Sequence, residues 1–114
     1  MKKISAIDLA MQLVGGKYKC LIIYHLSGGP KRTRDLLALL EGISAKVLNG
    51  QLRQLTAAGL IERTAYAEVP PRVEYQLTEE SAALLPILHA LCDWGRDYAA
   101  RHGSPVRPCR ERKH

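Results

Sequence analysis

The chain has 114 residues, 46% of them hydrophobic, which is enough for the core of one domain and leaves little room for a second. Its apolar stretches are too short for a membrane span, and the residues after the basic start are too polar for a signal peptide, so we expect a cytoplasmic protein. The net charge of +6 favours an anionic partner. However, residues 101–114 carry five Lys and Arg against one Glu, a net +4, and are expected to form a flexible basic tail.

The three cysteines, Cys20, Cys92 and Cys109, are odd in number and widely spaced. They form no CxxC pair and no zinc-binding pattern with histidine, which argues against a disulfide scaffold and against a structural metal. The sequence therefore predicts a protein of a reducing compartment that uses no metal and no other cofactor.

Apolar residues at helical spacing predict two short helices at the start of the chain. The first covers residues 5–14 and is stopped by Gly15-Gly16, and the second covers residues 17–27 and ends before Gly28-Gly29-Pro30. We interpret these glycine pairs as helix stops and not as phosphate-binding loops.

Two further helices are predicted close together in the chain. Thr33 is expected to cap a helix that Gly42 ends. Ser44 is expected to cap a helix that runs to about Ala58, with Gly59 where a C-terminal cap glycine is expected. A helix, a turn of three or four residues and a second helix is the spacing of a helix-turn-helix.

The pattern changes to alternation after these helices. Residues 60–67 and 72–77 contain β-branched and aromatic side chains and predict the two strands of a hairpin, with two prolines in the loop at residues 68–71. A hairpin directly after the second helix of a helix-turn-helix is a wing. The expected fold class is therefore mainly α with a small β-hairpin, a winged helix-turn-helix of about five helices and a two-stranded wing within residues 1–100.

The last predicted helix begins after Thr78, whose side chain is expected to cap it, and Pro86 is expected to bend its first turns. Its apolar stripe consists of Leu84, Leu88, Leu91, Gly95 and Tyr98. This helix could pack only on its own core, or it could also pair with a second subunit. It is too apolar for a solitary surface helix on so small a domain, which favours pairing.

Three ordered segments resemble the HxlR-type family of winged helix-turn-helix regulators, and the similarity covers about residues 5–99. The segments are Gly15-Gly16-Lys17-Tyr18-Lys19, Gly42-Ile43-Ser44-Ala45-Lys46-Val47-Leu48 and Glu68-Val69-Pro70-Pro71-Arg72-Val73-Glu74-Tyr75-Gln76-Leu77-Thr78. The resemblance implies a DNA-binding homodimer with a recognition helix at residues 44–58 and a wing near residues 66–73. It also implies that the first and last helices form the dimer interface, where the expected residues are Ile7, Met11, Leu84, Leu88, Leu91 and Tyr98.

The chain departs from the family at two core positions and at one reactive position. Tyr18 and Thr33 stand where members often carry Trp and Phe, and both changes shrink an aromatic core contact. Ser5 stands where many redox-sensing members carry a cysteine. Because serine forms neither a thiolate nor a disulfide, thiol sensing at that position is not expected.

The fourth predicted helix has an apolar stripe and a polar face opposite to it. The stripe is Val47, Leu48, Leu52 and Leu55, and the polar positions are Lys46, Asn49, Gly50, Arg53 and Gln54. In the major groove of DNA, Asn49 could pair with adenine, Lys46 could reach guanine or a phosphate, and Arg53 could reach a phosphate. Gly50 could let the backbone approach DNA or could have no such role. Every amphipathic helix has a polar side, so the hairpin and the family resemblance are what favour DNA binding.

Basic residues outside this helix are further candidates for DNA contact. Lys31, Arg32 and Arg34 lie at the start of the third helix, where a phosphate would relieve the conflict between positive charge and the helix dipole; a solvated charge run is the alternative. In the wing, Arg63 and Arg72 are candidates, although Arg72 could instead pair with Glu68 or Glu74. The expected DNA-contact residues are Lys31, Arg32, Arg34, Ser44, Lys46, Asn49, Gly50, Arg53, Arg63 and Arg72.

The sequence therefore predicts a sequence-specific regulator of transcription that binds double-stranded DNA as a homodimer at an inverted repeat. The resemblance implies repression as its default outcome. An enzyme is disfavoured, because no nucleophile elbow or metal spacing is present and the four histidines are scattered, namely His25, His89, His102 and His114.

Two further hypotheses stay open at this point. One is a winged helix that binds a protein and not DNA, against which the basic residues on the fourth helix argue mildly. The second is regulation by an effector, either an oxidant or electrophile sensed through Cys92 or Cys109, or a small molecule bound between the dimer helices.

Overall fold

The computed structural model describes residues 3–107 and contains six helices and one antiparallel pair of strands. The elements are α1 (Ala6–Val14), α2 (Lys19–Leu26), α3 (Thr33–Leu39), α4 (Ala45–Ala57), β1 (Ile61–Tyr66), β2 (Arg72–Leu77), α5 (Glu79–Ala82) and α6 (Leu85–Arg101). The expected winged helix-turn-helix is confirmed, with α3 and α4 as its helix pair and β1 and β2 as its wing. Most of the predicted basic tail, with Cys109 and His114, lies outside the described residues.

Side-chain caps fix where several of these helices begin. The Ser5 hydroxyl accepts a hydrogen bond from Asp8 N at 3.0 Å, and the Ser44 hydroxyl accepts one from Val47 N at 3.1 Å. Each cap satisfies a backbone donor that the first turn of a helix leaves unpaired. The predicted cap at Thr33 is wrong, because Thr33 is already the first residue of α3. There the Asp35 carboxylate accepts from Arg32 N at 2.9 Å instead.

The core forms around α2, which is buried along most of its length. Residues 22–26 of α2 are all buried, as expected for a central helix that other elements surround. The fully buried side chains that complete this core are Leu36, Leu48, Leu52, Leu55 and Ile61. Val47, predicted to lie on the buried stripe of α4, is 44% exposed, so this part of the prediction is wrong. The true buried stripe of α4 is narrower and consists of its three leucines.

The wing is an antiparallel hairpin whose register runs from the pair Ile61–Leu77 to the pair Tyr66–Arg72. A short backbone bridge joins this hairpin to the residues before α3. Lys31 N donates to Tyr75 O at 3.0 Å, and Tyr75 N donates to Lys31 O at 2.9 Å. This bridge, which no sequence pattern predicted, ties the start of α3 to the wing.

The end of α4 turns into β1 through a left-handed glycine. Gly59 has φ +77°, its N–H donates to Thr56 O, and Leu60 N donates to Leu55 O, each at 3.0 Å. These two bonds are those of a Schellman motif, which satisfies the last carbonyls of a helix. The predicted C-terminal glycine cap is therefore confirmed, and it sets the direction in which the wing leaves α4.

The predicted last helix is divided in two. The Thr78 hydroxyl caps α5 by accepting from Ser81 N at 3.4 Å, as predicted, but α5 ends at Ala82 and α6 begins only at Leu85. Pro86 lies in the first turn of α6, where its missing N–H removes no helical hydrogen bond. The expectation that Pro86 bends a continuous helix is wrong, because it lies at the start of a new one. Residues 3–107 consequently contain six helices, counting the four-residue α5, where about five were expected.

The first helix projects from the rest of the subunit. Among residues 6–14 of α1, only Val14 is buried, although most of the helix is apolar. None of the described helices has the length and apolarity that crossing a membrane requires.

We expect Gly59→Ala to lower the free energy of unfolding by about 1–2 kcal/mol, because an L-residue at positive φ is strained while the space around a Cβ there is open. Urea denaturation followed by circular dichroism measures this change. Gly50→Ala is the matched control: Gly50 lies inside α4, and the nearest atom to an added Cβ is Arg53 Nη2 at 3.9 Å. The control should raise stability by about 0.5–1 kcal/mol. A loss of stability at both positions would contradict the conclusion that the left-handed backbone at residue 59 is what requires glycine.

Candidate nucleic-acid interface

The polar face of α4 lies on the outside of the subunit. Lys46, Asn49 and Arg53 are exposed and Gly50 is partly exposed, whereas the three leucines of the opposite stripe are buried. The spacing of these positions places them on one side of the helix. The structure thus brings the predicted residues of α4 together on one surface that is open to a large partner.

The turn between α3 and α4 is braced from α2. Gly42 has φ +79° in this turn, a conformation that favours glycine. The Tyr18 hydroxyl approaches Glu41 O at 3.5 Å, and the side chain of Ile43 is partly buried against the core. Tyr18 therefore reaches the turn that orients α4 relative to α3.

The basic residues at the start of α3 are not equally open to a partner. Arg34 is exposed, whereas Lys31 and Arg32 are partly buried. Asp35 already places a negative charge in the first turn and accepts from the Arg32 amide. A phosphate is therefore not needed to balance the helix dipole at this end. Of these three predicted contacts, Arg34 has the most accessible side chain.

The two arginines of the wing differ in their surroundings. Arg63 is exposed on β1. Arg72 makes two ion pairs, Nη2 to Glu68 Oε2 at 2.8 Å and Nη1 to Glu74 Oε2 at 3.1 Å. Its guanidinium carbon also lies 4.1 Å from the centre of the Tyr66 ring. The internal pairing that the sequence left as an alternative for Arg72 is the one observed.

Both α1 and α6 expose apolar side chains, which are the candidates for a dimer interface. Of the six residues predicted for dimerisation, Ile7, Met11, Leu91 and Tyr98 are exposed. Leu88 is only 6% exposed and belongs to the core, and the partly buried Leu84 packs against that core.

Leu84 and Leu88 therefore pack within the subunit, and the participation of all six residues in a dimer interface stays a prediction. The sequence analysis did not select two further exposed apolar residues of α6, which are Ile87 at 62% and Trp94 at 61% exposure. The Trp94 ring stacks on Tyr98, with 5.5 Å between the ring centres. Ile87 and Trp94 are each adjacent in the sequence to a residue of the predicted apolar stripe, and this position could have marked them as candidates for the interface.

The cysteines have different environments. Cys20 is a free thiol that donates to Val14 O at 3.1 Å, and burial raises its pKa, so it is a poor nucleophile. Cys92 is disulfide-bonded, in contrast to the reduced state expected from the sequence, and Arg96 Nη1 lies 3.9 Å from its sulfur. Cys109 lies outside the described residues.

A partly open cavity of about 1060 Å³ lies between α2, the α3–α4 turn and α6. Its wall includes Tyr18, Tyr24 and His25, and Leu91 and Cys92 of α6 also line it. Within residues 3–107, His, Cys, Asp and Glu side chains form no group of three that could hold a metal ion. The cavity therefore lies between the turn that precedes α4 and the apolar surface of α6.

Comparison with known proteins gives one consistent family. The sequence model of the HxlR-like helix-turn-helix family matches residues 13–103. The chain is 46% identical over 100 residues to the HTH-type transcriptional regulator YkvN of Bacillus subtilis, covering 87% of this chain and 85% of that protein. It is 44% identical over 96 residues to YtcD of the same organism, covering 84% of this chain and 76% of that protein.

Solved structures agree with the sequence comparison. The crystal structure of the HTH-type transcriptional regulator ytcD superposes with a TM-score of 0.81 at 41% identity, over 85% of this chain and 99% of that one. The redox regulator HypR in its oxidised form superposes with a TM-score of 0.79 at 35% identity, over 82% of this chain and 96% of that one. The family model spans the helix pair, the wing and α6, and the chain therefore belongs to the HxlR-like helix-turn-helix family.

Proposed function

We propose that this protein is a transcription regulator that recognises a specific sequence of double-stranded DNA as a homodimer. The observation that carries the proposal is the exposed polar face of α4, which a helix-turn-helix followed by a wing presents to a major groove. Membership of a family of helix-turn-helix regulators supports it. The regulatory function belongs to residues 1–100, and the basic segment at residues 101–114 adds non-specific attraction to phosphate.

Three side chains of α4 have different roles in the proposed recognition of DNA. Asn49 has an amide that can donate to and accept from the edge of adenine, so it contributes base discrimination. Lys46 reaches a guanine or a phosphate, and Arg53 a phosphate. Ser44 caps α4 and leaves the first turn of the helix near the DNA backbone. Phosphate contacts then give most of the affinity, and Asn49 gives sequence preference.

Dimerisation through α1 and α6 explains the apolar side chains that these helices expose. Ile7 is 75% exposed and Leu91 is 58% exposed, a state that is unfavourable in water for large apolar groups. A twofold axis through this surface would place two α4 helices about 34 Å apart, one turn of DNA, so that the operator is an inverted repeat.

The outcome of binding follows the family default of repression, in which the bound dimer blocks access to a promoter. We place this activity in the cytoplasm and propose no catalytic activity for the protein. A small molecule in the cavity beside α6 would be placed to change the spacing of the two DNA-reading helices.

We expect Asn49→Ala to weaken binding to the operator by roughly 1–3 kcal/mol, with little change in binding to unrelated DNA, because a lost base contact removes discrimination. Fluorescence anisotropy with a duplex from upstream of the protein's own gene measures this, beside a scrambled duplex of the same length at several salt concentrations. Equal and steeply salt-dependent binding of the unmodified protein to both duplexes would mean charge attraction only. Absence of binding at low salt would favour a protein-binding winged helix.

We expect Leu91→Glu to convert the dimer into a monomer, because a carboxylate at the apolar α1–α6 surface would be buried without a partner. Light scattering after size-exclusion chromatography gives the mass. Val69→Glu is the matched control, since Val69 is also exposed but lies in the wing loop. An unchanged mass for the α6 variant, or a monomer in both, would contradict the assignment of the interface.

Redox-responsive regulation is a second candidate function. The disulfide at Cys92 favours it, and so does the similarity to the redox regulator HypR, which superposes in oxidised and reduced forms. The chain differs from redox-sensing members of the family because Ser5 stands at their cysteine position.

We expect hydrogen peroxide to change the operator affinity of the reduced unmodified protein and to leave the variant Cys92→Ser, Cys109→Ser unchanged. Each protein is first reduced with dithiothreitol, which is then removed, and fluorescence anisotropy with the operator is measured before and after addition of hydrogen peroxide. Cys20→Ser is the control, because its buried thiol has a raised pKa and should not take part. An equal response to peroxide in all three proteins, or no response in any, would remove this candidate.

A further inference from the structure

The guanidinium of Arg72 is occupied on several sides at once. Its two terminal nitrogens donate to Glu68 and Glu74, at 2.8 Å and 3.1 Å, and its face lies over Tyr66. Tyr66 and Arg72 are partners in the register of the hairpin, so the stacking follows from strand pairing. The Arg72 side chain is 27% exposed, which reduces the screening of these pairs by water.

The wing as a whole is slightly acidic. Residues 61–77 contain Arg63 and Arg72 against Glu62, Glu68 and Glu74, a net charge of −1. A segment of this charge has little attraction for the phosphate backbone, although its position beside α4 places it close to DNA in the proposed complex. The charge of Arg72 in particular is compensated within the wing.

We propose that Glu68 competes with a DNA phosphate for Arg72 and thereby sets how much the wing contributes to DNA affinity. A carboxylate and a phosphate both accept from the same fork of guanidinium donors, so one can take the place of the other. With Glu68 in place, the wing adds shape complementarity and little charge attraction. This inference rests on the proposed DNA-binding function and concerns the strength and salt dependence of that binding.

Glu68 is the exchangeable partner of the two carboxylates. Its side chain is 48% exposed in the loop between the strands, whereas that of Glu74 is 20% exposed within β2. An exposed ion pair is weak and is easily replaced, whereas the less exposed pair is expected to persist and to keep Arg72 in position. Without Glu68, Arg72 would present Nη2 to solvent at the tip end of the wing.

The test is the salt dependence of operator binding for Glu68→Gln, measured by fluorescence anisotropy with the full chain. We expect an affinity gain of roughly two- to fivefold for each wing of the dimer. The slope of log K against log salt should become steeper by about 0.9 for each new phosphate contact, or about 1.8 for two wings. Thermal unfolding of the same samples tests whether the wing variants remain folded.

Glu62→Gln is the matched control, because it removes the same charge from the wing but Glu62 accepts from Gln76 at 3.1 Å and not from Arg72. The double variant Glu68→Gln, Arg72→Gln should lose the gain, since the freed guanidinium is then absent. Equal effects of the two single glutamine variants, or a gain that persists without Arg72, would overturn the inference. Failure of the unmodified protein to prefer the operator would instead overturn the proposed function.

Discussion

Burial of three leucines of α4 is the constraint on which the rest of the structure depends. Leu48, Leu52 and Leu55 are removed from water against the core around α2, and each contributes about 1.5–3 kcal/mol by this burial. Because a helix has only one orientation that buries all three, the polar residues of α4 must face solvent. The surface proposed to contact DNA is therefore fixed by apolar packing on the opposite side of the helix.

Local chemistry made some features predictable from the sequence. The cap at Ser44 and the left-handed glycine at Gly59 are properties of a few neighbouring residues, and both appear where they were expected. The hairpin strands were also predictable, since alternation and turn residues act over short distances. These features together define the DNA-reading helix and the direction of the wing, which is why the fold class was recognised.

Features that depend on distant parts of the chain were not predictable. Periodicity placed Leu88 and Leu91 on one stripe, but only the packing of α6 on α2 shows that the first is buried and the second exposed. The backbone bridge between Lys31 and Tyr75 joins segments that no local pattern relates. For Arg72, composition offered a DNA contact and an ion pair equally, and only the geometry of the hairpin decides between them.

The bridge between Lys31 and Tyr75 restricts how the wing can move relative to the helix pair. It fastens the wing to the start of α3, and the Schellman turn at Gly59 fastens the same wing to the end of α4. A hairpin held at both of these points cannot swing independently of the helix pair. In the proposed dimer, a signal received at α1 or α6 would therefore rotate the helix pair and the wing together, and a small tilt at the dimer axis would become a larger displacement at the wing tip.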